Sequence, residues 1–359
     1  FGIPLKYAKS DEKTLTFHLG LCETGISDLF RALGLNRSRA RRRLPHIFEH
    51  WETLLYDGDV LDSKLTTLLK LNTEEERGRG FARWHLDHVQ QMIAEFLTIG
   101  FELNLYENYE VPMIWWYLDN IAAARQKSQM KVLEAAEVAK RRALSAGHQQ
   151  QHNNKKKGQQ QQQQPIHLQP GDVKPNWFAV ELEAKFNLTR GLFLFIAALD
   201  AAGYFPISAQ NLGSARTRFF SRFHNLLSLN QPTGLRFQQF QTTYLDVLAQ
   251  RSASDLLARA NKSIQAALKN FQDLINFSQP DGTSTPITTP SSVVKEAKKL
   301  QRLTLMNGFQ IASLTKTNTL DHKANDPAHP ALVVSLDFAS HRQYPIVSLK
   351  PKPEKTQAK

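Results

Sequence analysis

Apolar residues recur at steps of three and four along most of this 359-residue chain, the spacing of helices that bury one face. Leu15, Leu19, Cys22, Ile26, Leu29 and Leu33 form the first stripe, and Gly34 follows as a helix stop. Leu44, Phe48, Trp51 and Leu55 form a second that ends near Asp57-Gly58, and Leu61, Leu65, Leu68 and Leu69 continue the pattern. Phe81, Trp84, Met92, Ile93, Phe96 and Leu103 mark another helix, and Pro112 starts or kinks one that runs through Trp116, Leu118 and Ile121 into the 130s. Further on, the spacing predicts helices over 177–202, 215–229, 235–249, 254–277 and 293–314. "SQPDGTSTPITTPSS" reads as a loop. The tail differs: "ALVVSLDF" and "YPIVSL" are short and β-branched, and predict two strands.

The pattern lapses in the stretch "HQQQHNNKKKGQQQQQQP", whose polar low-complexity sequence cannot bury a core. The expected organisation is a helical region over 1–147, a Gln/Lys-rich disordered linker or insertion over 148–175 and a second helical region over 176–330. C-terminal strands over 331–350 and a disordered tail over 351–359 complete it. The fold class is mainly α, an irregular multi-helix, solenoid-like scaffold with a short C-terminal β hairpin. No internal repeat of fixed period is legible.

Composition narrows the partners. The formal net charge of +12 favours acidic ones, nucleic acid the commonest. The longest apolar run, Gly191 to Leu199, stops at Asp200, far short of the roughly 20 residues that span a bilayer, so no membrane association is expected. The single cysteine, Cys22, excludes an internal disulfide and fits a reducing, cytoplasmic setting; it sits on an apolar face, where a thiol is inert. The chain opens on Phe1 with no initiator Met, as a fragment of a longer protein would.

Candidate chemistry is sparse. "RGRGFA", Arg77 to Ala82, fits the R-x-x-G-x-A pattern that holds the pyrophosphate of acetyl-CoA, but that chemistry needs a strand feeding a loop of backbone N–H groups. The residues before it, "LNTEEE", supply no apolar strand and would repel a phosphate, so an interhelical loop is the better reading. "HIFEH" fits a zinc-hydrolase pattern in which His46 and His50 hold the metal and Glu49 is the base. Phe48 and Trp51, however, already commit that helix to packing. His85 and His88 are spaced similarly. No catalytic, cofactor-binding or metal-binding residue is assigned.

"NRSRARRRLPH" is a dense basic run. At 100° per residue from Phe48, Arg39 and Arg42 turn away from the apolar face and Arg43 lies on its flank. Cations at a helix start oppose the macrodipole, so an RNA backbone or an acidic partner explains them better than helix stability does. A solvated basic face is the alternative.

The stretch "IGFELNLYENYEVPMIWWYLDNI" sets aromatic residues beside carboxylates. It could line a sugar-binding cleft with an acid pair, but Glu107 and Glu110 have no facing acid element marked in the sequence. Trp115 and Trp116 point to different sides of one helix, as in a helix buried among others. The acids are then expected to cap helices around the turn or to pair with basic neighbours. Trp115, Trp116, Tyr117, Phe338, Tyr344 and Ile346 are the candidates for packing or a partner interface.

Three segments carry a family resemblance: "LFRALGLNRSRARRRLPHIFEHWETLL", "GFELNLYENYEVPMIWWYLDNI" and "LDFASHRQYPIVSL". In this order they resemble the large auxiliary subunits of the N-terminal acetyltransferase C (NatC) complex, over the C-terminal half of such a subunit. The resemblance implies a helical, non-catalytic scaffold that binds a separate GNAT-fold catalytic subunit and a small Sm-like subunit. It also implies help in placing the assembly at the ribosome, for acetylation of nascent chains that start with Met and a hydrophobic residue. Acetyl-CoA belongs to the catalytic subunit, so no cofactor is expected on this chain. The aromatic stretch would be a structural hinge of the scaffold. A stand-alone basic helical RNA-binding protein and a zinc metallohydrolase are the alternatives.

Overall fold

The computed structural model describes residues 81–102, 106–127, 129–130, 177–205, 215–223, 237–279, 287–317, 320 and 332–351. The helices expected before residue 81, the "HIFEH" pattern, Cys22 and the Gln-rich tract lie outside these residues. Helix α1 spans Phe81–Glu102, and a 3-10 turn at Asn108–Glu110 leads into α2, helical from 111 to 127. Then come α3 (Trp177–Ala201), α4 (Ala215–Phe223) and α5 (Phe237–Phe240), which runs on as a π-helix over Gln241–Leu248. Helices α6 (Ala253–Ile275) and α7 (Ser291–Thr317) follow. Strands β1 (Ser278–Gln279) and β2 (Ile287–Thr288) pair antiparallel, as do β3 (Leu332–Asp337) and β4 (Ile346–Pro351).

Helix α3 is the axis of the core. Its residues from Gly191 to Leu199 are buried without a break, because the helix is apolar nearly all round and must be covered on every side. Helix α6 is amphipathic instead. Leu256, Leu257, Ala260, Ile264, Ala267, Phe271 and Leu274 recur at helical spacing and are buried, and α6 makes its broadest contact with α3. Ser252 caps α6 by accepting a hydrogen bond from the Asp255 N–H at 3.1 Å. At its far end Thr289 donates from Oγ1 to the Leu274 carbonyl at 2.8 Å, satisfying one of the last carbonyls. Helix α7 packs along α6 and carries β4 on its other flank.

Two glycines fix this geometry. Gly203, at φ 84°, ends α3: its N–H bonds the Asp200 carbonyl, and the Tyr204 N–H bonds the Leu199 carbonyl, each at 2.9 Å. Gly191 lies where α3 and α6 approach, and a Cβ there would stand 2.7 Å from Ile264 Cδ1 and 2.8 Å from Cγ1. Overpacking such a site costs roughly 1–3 kcal/mol, more than the roughly 1 kcal/mol that alanine gains over glycine in a helix. Gly191→Ala is therefore expected to lower the urea midpoint and Gly191→Val to lower it further. A stabilised Ala variant would show that the two helices part without cost.

Two features depart from the sequence pattern. The predicted helix over 235–249 widens into the π-helix, where Thr242 and Thr243 donate to the Gln238 and Gln239 carbonyls and compete with the backbone ladder. The predicted loop after α6 is pinned at its ends by the short β1–β2 pairing, Ser278 opposite Thr288 and Gln279 opposite Ile287.

Candidate functional site

The aromatic stretch forms a buried junction between α1, α2, α4 and the C-terminal hairpin. Its first part is built on Gly100. A Cβ there would collide with the phenol of Tyr106, so the missing side chain lets that ring lie across the end of α1. The Tyr106 hydroxyl then donates to the Leu97 carbonyl at 2.9 Å. Phe101 packs edge-on against Tyr106, at 4.9 Å between centroids, and stacks on Phe338 of the hairpin at 5.5 Å.

The acids act in structure. Glu107 and Glu110 form a capping box around the 3-10 turn, with the Glu107 N–H donating to Glu110 Oε2 at 2.9 Å. Glu110 also pairs with Arg222 of α4. Arg222 Nε reaches Oε1 at 2.5 Å, Nη2 reaches Oε2, and both side chains are buried. The guanidinium lies over the Tyr106 ring, 5.0 Å from its centroid.

The α2 aromatics lie in the core. Trp115 is 1%, Trp116 2% and Tyr117 0% exposed. Trp116 Nε1 donates to Thr243 Oγ1 of the π-helix at 2.9 Å, and Tyr117 stacks on Phe223 at 4.2 Å. The π-helix also carries Tyr244, whose hydroxyl donates to Asp200 at 2.5 Å; burial raises the Asp200 pKa while this bond and Arg218 oppose the rise. A shallow cleft beside Trp115 is lined by Gln91, Thr98, Arg125, Lys185 and Tyr344. Both of its cations are engaged, Arg125 with Asp87 at 2.7 Å and Lys185 with Glu181 at 2.5 Å.

Asp119 binds α2 to α3. It is buried and accepts from Arg190 Nε at 2.7 Å. Burial raises its pKa from 3.8 to about 6, and Arg190 opposes the rise without cancelling it. A carboxyl whose folded pKa lies above its unfolded one stabilises while protonated. That contribution is complete below pH 4 and is lost as pH rises through 6. Wild type should therefore lose roughly 2–3 kcal/mol relative to Asp119→Asn between pH 4 and 6, about 1.4 kcal/mol per pKa unit. Urea melts across this range check the difference; parallel profiles would contradict the raised pKa. The difference isolates Asp119 from Asp200, raised likewise, and from His341, lowered and hence of opposite slope.

The hairpin closes the junction. Asn307, fully buried in α7, donates to the Pro345 carbonyl and accepts from the Val347 N–H, each at 2.9 Å. One amide thus meets two backbone groups at the start of β4. His341 Nδ1 accepts from the N–H groups of Gln343 and Tyr344 at 3.0 and 3.2 Å, so the ring is a neutral tautomer whose Nε2 donates to Glu296 at 2.6 Å. Burial lowers the His341 pKa; Glu296 opposes that, and Lys299 and Lys185 reinforce it. Tyr344 and Val347 are buried, and Ile346 packs against the core.

The structure thus brings Trp115, Trp116, Tyr117, Phe338, Tyr344 and Ile346 into one core cluster or against it, with Phe338 reaching it through Phe101. Arg39, Arg42 and Arg43 lie outside the described residues. Among the described residues no group of three or more His, Cys, Asp or Glu could hold a metal ion, and no helix is long and apolar enough to cross a membrane. Sequence reasoning missed Arg222, Arg190, Glu296 and Asn307. Asn307 carried a signal, a polar residue inside the apolar stripe of Leu300, Leu303 and Ile311; the charged three carried none.

A family described as NAA35-like, TPR repeats, matches residues 4–347. The chain is 26% identical over 332 residues to the Homo sapiens protein named N-alpha-acetyltransferase 35, NatC auxiliary subunit, covering 91% of this chain and 41% of that one. It is 27% identical over 334 residues to the Gallus gallus protein of the same name, with the same coverage. The chain therefore spans about two fifths of the length of these relatives. Its fold is similar to a chain of the apo NatC complex, with a TM-score of 0.60 at 15% identity over 93% of this chain and 48% of that one. A chain of the NatC complex bound to CoA gives a TM-score of 0.60 at 14% identity over 98% and 49%. A 34-residue helix–turn–helix repeat leaves at most about 17 residues per helix. Helices α1, α3, α6 and α7, of 22, 25, 23 and 27 residues, exceed this, which explains why no fixed period is legible. With its match running across nearly all of its length, the chain belongs to the NAA35-like family.

Proposed function

We propose that this chain is a non-catalytic scaffold subunit of a NatC-type N-terminal acetyltransferase. It holds a separate GNAT-fold catalytic subunit, which carries acetyl-CoA and acetylates nascent chains beginning with Met and a hydrophobic residue. A small Sm-like subunit and the ribosome are its other partners, in the cytoplasm. The observation that carries this reading is the family match over residues 4–347, and the names of the relatives and of the complexes similar in fold support it. The junction agrees with it, because its carboxylates are held by caps and ion pairs that stiffen a framework.

Calorimetric titration of the chain alone with acetyl-CoA is expected to give no binding, and the chain alone no acetylation of a Met-Leu peptide. The chain co-expressed with a GNAT-fold partner is expected to give that activity. Micromolar acetyl-CoA binding by the isolated chain, abolished by Gly80→Asp, would overturn the assignment.

Ribosomal RNA is the proposed target of Arg39, Arg42 and Arg43. Each neutralised phosphate contributes roughly 0.7 to 0.9 to the slope of log affinity against log salt. Changing the three to Glu should weaken ribosome co-sedimentation of the complex and flatten its salt dependence, with free-peptide acetylation unchanged. Lost acetylation with intact co-sedimentation would place the cluster at a subunit interface instead.

A further inference from the structure

We propose that the solvent face of α7 is a docking surface for an acidic, apolar-faced segment of a protein partner. The inference rests on the scaffold reading and names one surface through which the scaffold grips a protein. Leu305 is 46%, Met306 45% and Phe309 61% exposed. Single exposed apolar residues are ordinary, but three together within five positions are not. At 100° per residue these three fall within one arc of α7. The opposite arc, with Leu300, Leu303, Asn307 and Ile311, is buried against the body. Helix α7 is thus apolar on two sides, the pattern of a helix meant to be covered on both.

The charges around the patch select its occupant. Helix α7 carries Lys295, Lys298, Lys299, Arg302 and Lys316 against a single acid, Glu296, which faces His341. All five cations are exposed, and none pairs with an acid among the described residues. Lys298 and Arg302 lie on the patch's own arc on its N-terminal side, and Lys316 lies on it on the C-terminal side. An apolar centre with a charged rim is the anatomy of a protein interface, and this rim calls for carboxylates. A second copy fits poorly, since two chains of net charge +12 would bring like-charged helices together. Nucleic acid would use the cations and stack on Phe309, leaving Leu305 and Met306 with nothing to bind.

The test uses the full-length subunit purified from cells with its partners, with Phe309 replaced by a photo-cross-linking benzoylphenylalanine. The expected cross-link lands in a partner segment that is net acidic and carries apolar residues at helical spacing. Its yield should fall roughly tenfold in a Lys298→Glu/Arg302→Glu background, and charge reversal of two carboxylates in the mapped segment should restore it. Leu305→Ser should lower the yield with an unchanged melting temperature, because the residue is half-exposed and supports no core. Cross-links to RNA, to a second copy or to the chain itself would overturn the proposal, as would a yield that ignores both sets of changes. Recovery of an acetyltransferase with the unmodified chain reads the scaffold assignment separately. An acetyltransferase recovered without the expected cross-link removes this surface and leaves the scaffold. An acidic cross-linked segment without an acetyltransferase does the reverse.

Discussion

Replacing Arg222 by Met is expected to destabilise the fold by about 3–5 kcal/mol, the cost of leaving one buried charge without its partner. Glu110 is 3% exposed, so bulk solvent cannot stand in for the guanidinium. Arg222 also contributes the cation over the Tyr106 ring and ties α4 to the turn that opens α2. The double change Glu110→Gln/Arg222→Met should recover much of the loss. A glutamine still offers an oxygen to the Glu107 N–H, so the cap survives while the stranded charge is removed. Urea melts of the wild type, both single variants and the double variant form the cycle that measures this coupling. Additive single losses would mean that the pair is solvated and independent.

The second large effect is expected at Asn307. Asn307→Leu keeps the branched outline of the side chain but strands the buried Val347 N–H and Pro345 carbonyl without their partner. Each unsatisfied group costs roughly 1–3 kcal/mol, so the loss for the two should reach about 2–6 kcal/mol and fall first on the hairpin. An isolated two-stranded hairpin is marginal in water, and this one is held by contacts with α7, Phe101 and the core beside them. Hydrogen exchange should show the Val347 amide losing its protection while α3 and α6 keep theirs. Truncation before Leu332 should produce a larger loss, because it also uncovers the core beneath Tyr344 and Val347. An unchanged exchange pattern in Asn307→Leu would show that the amide is incidental to docking.

Much of this fold was legible beforehand. The apolar steps of α3 and α6 placed both helices to within two residues, because tertiary packing there follows the amphipathic or all-apolar pattern that sequence displays. The β-branched runs of the tail likewise gave β3 and β4. Trp115 and Trp116, on different sides of one helix, point to a helix covered on more than one face, and both are buried. The rest depended on what topology brings together. Glu110 and Arg222 lie 112 residues apart, and Asp119 and Arg190 lie 71 apart, with no local pattern linking them. Gly100 and Gly191 owe their meaning to Tyr106 and Ile264, which only the folded chain sets against them. The π-helix over Gln241–Leu248 leaves no mark in the apolar spacing, which reads there as ordinary helix.

The most direct test of the scaffold assignment is affinity purification of the full-length subunit from its own cells, with the recovered proteins identified and assayed on a Met-Leu peptide. A GNAT-fold acetyltransferase is expected to co-purify in near-equal amount and to carry all of the activity. Recovery of the subunit alone, or with RNA and no acetyltransferase, would contradict the assignment.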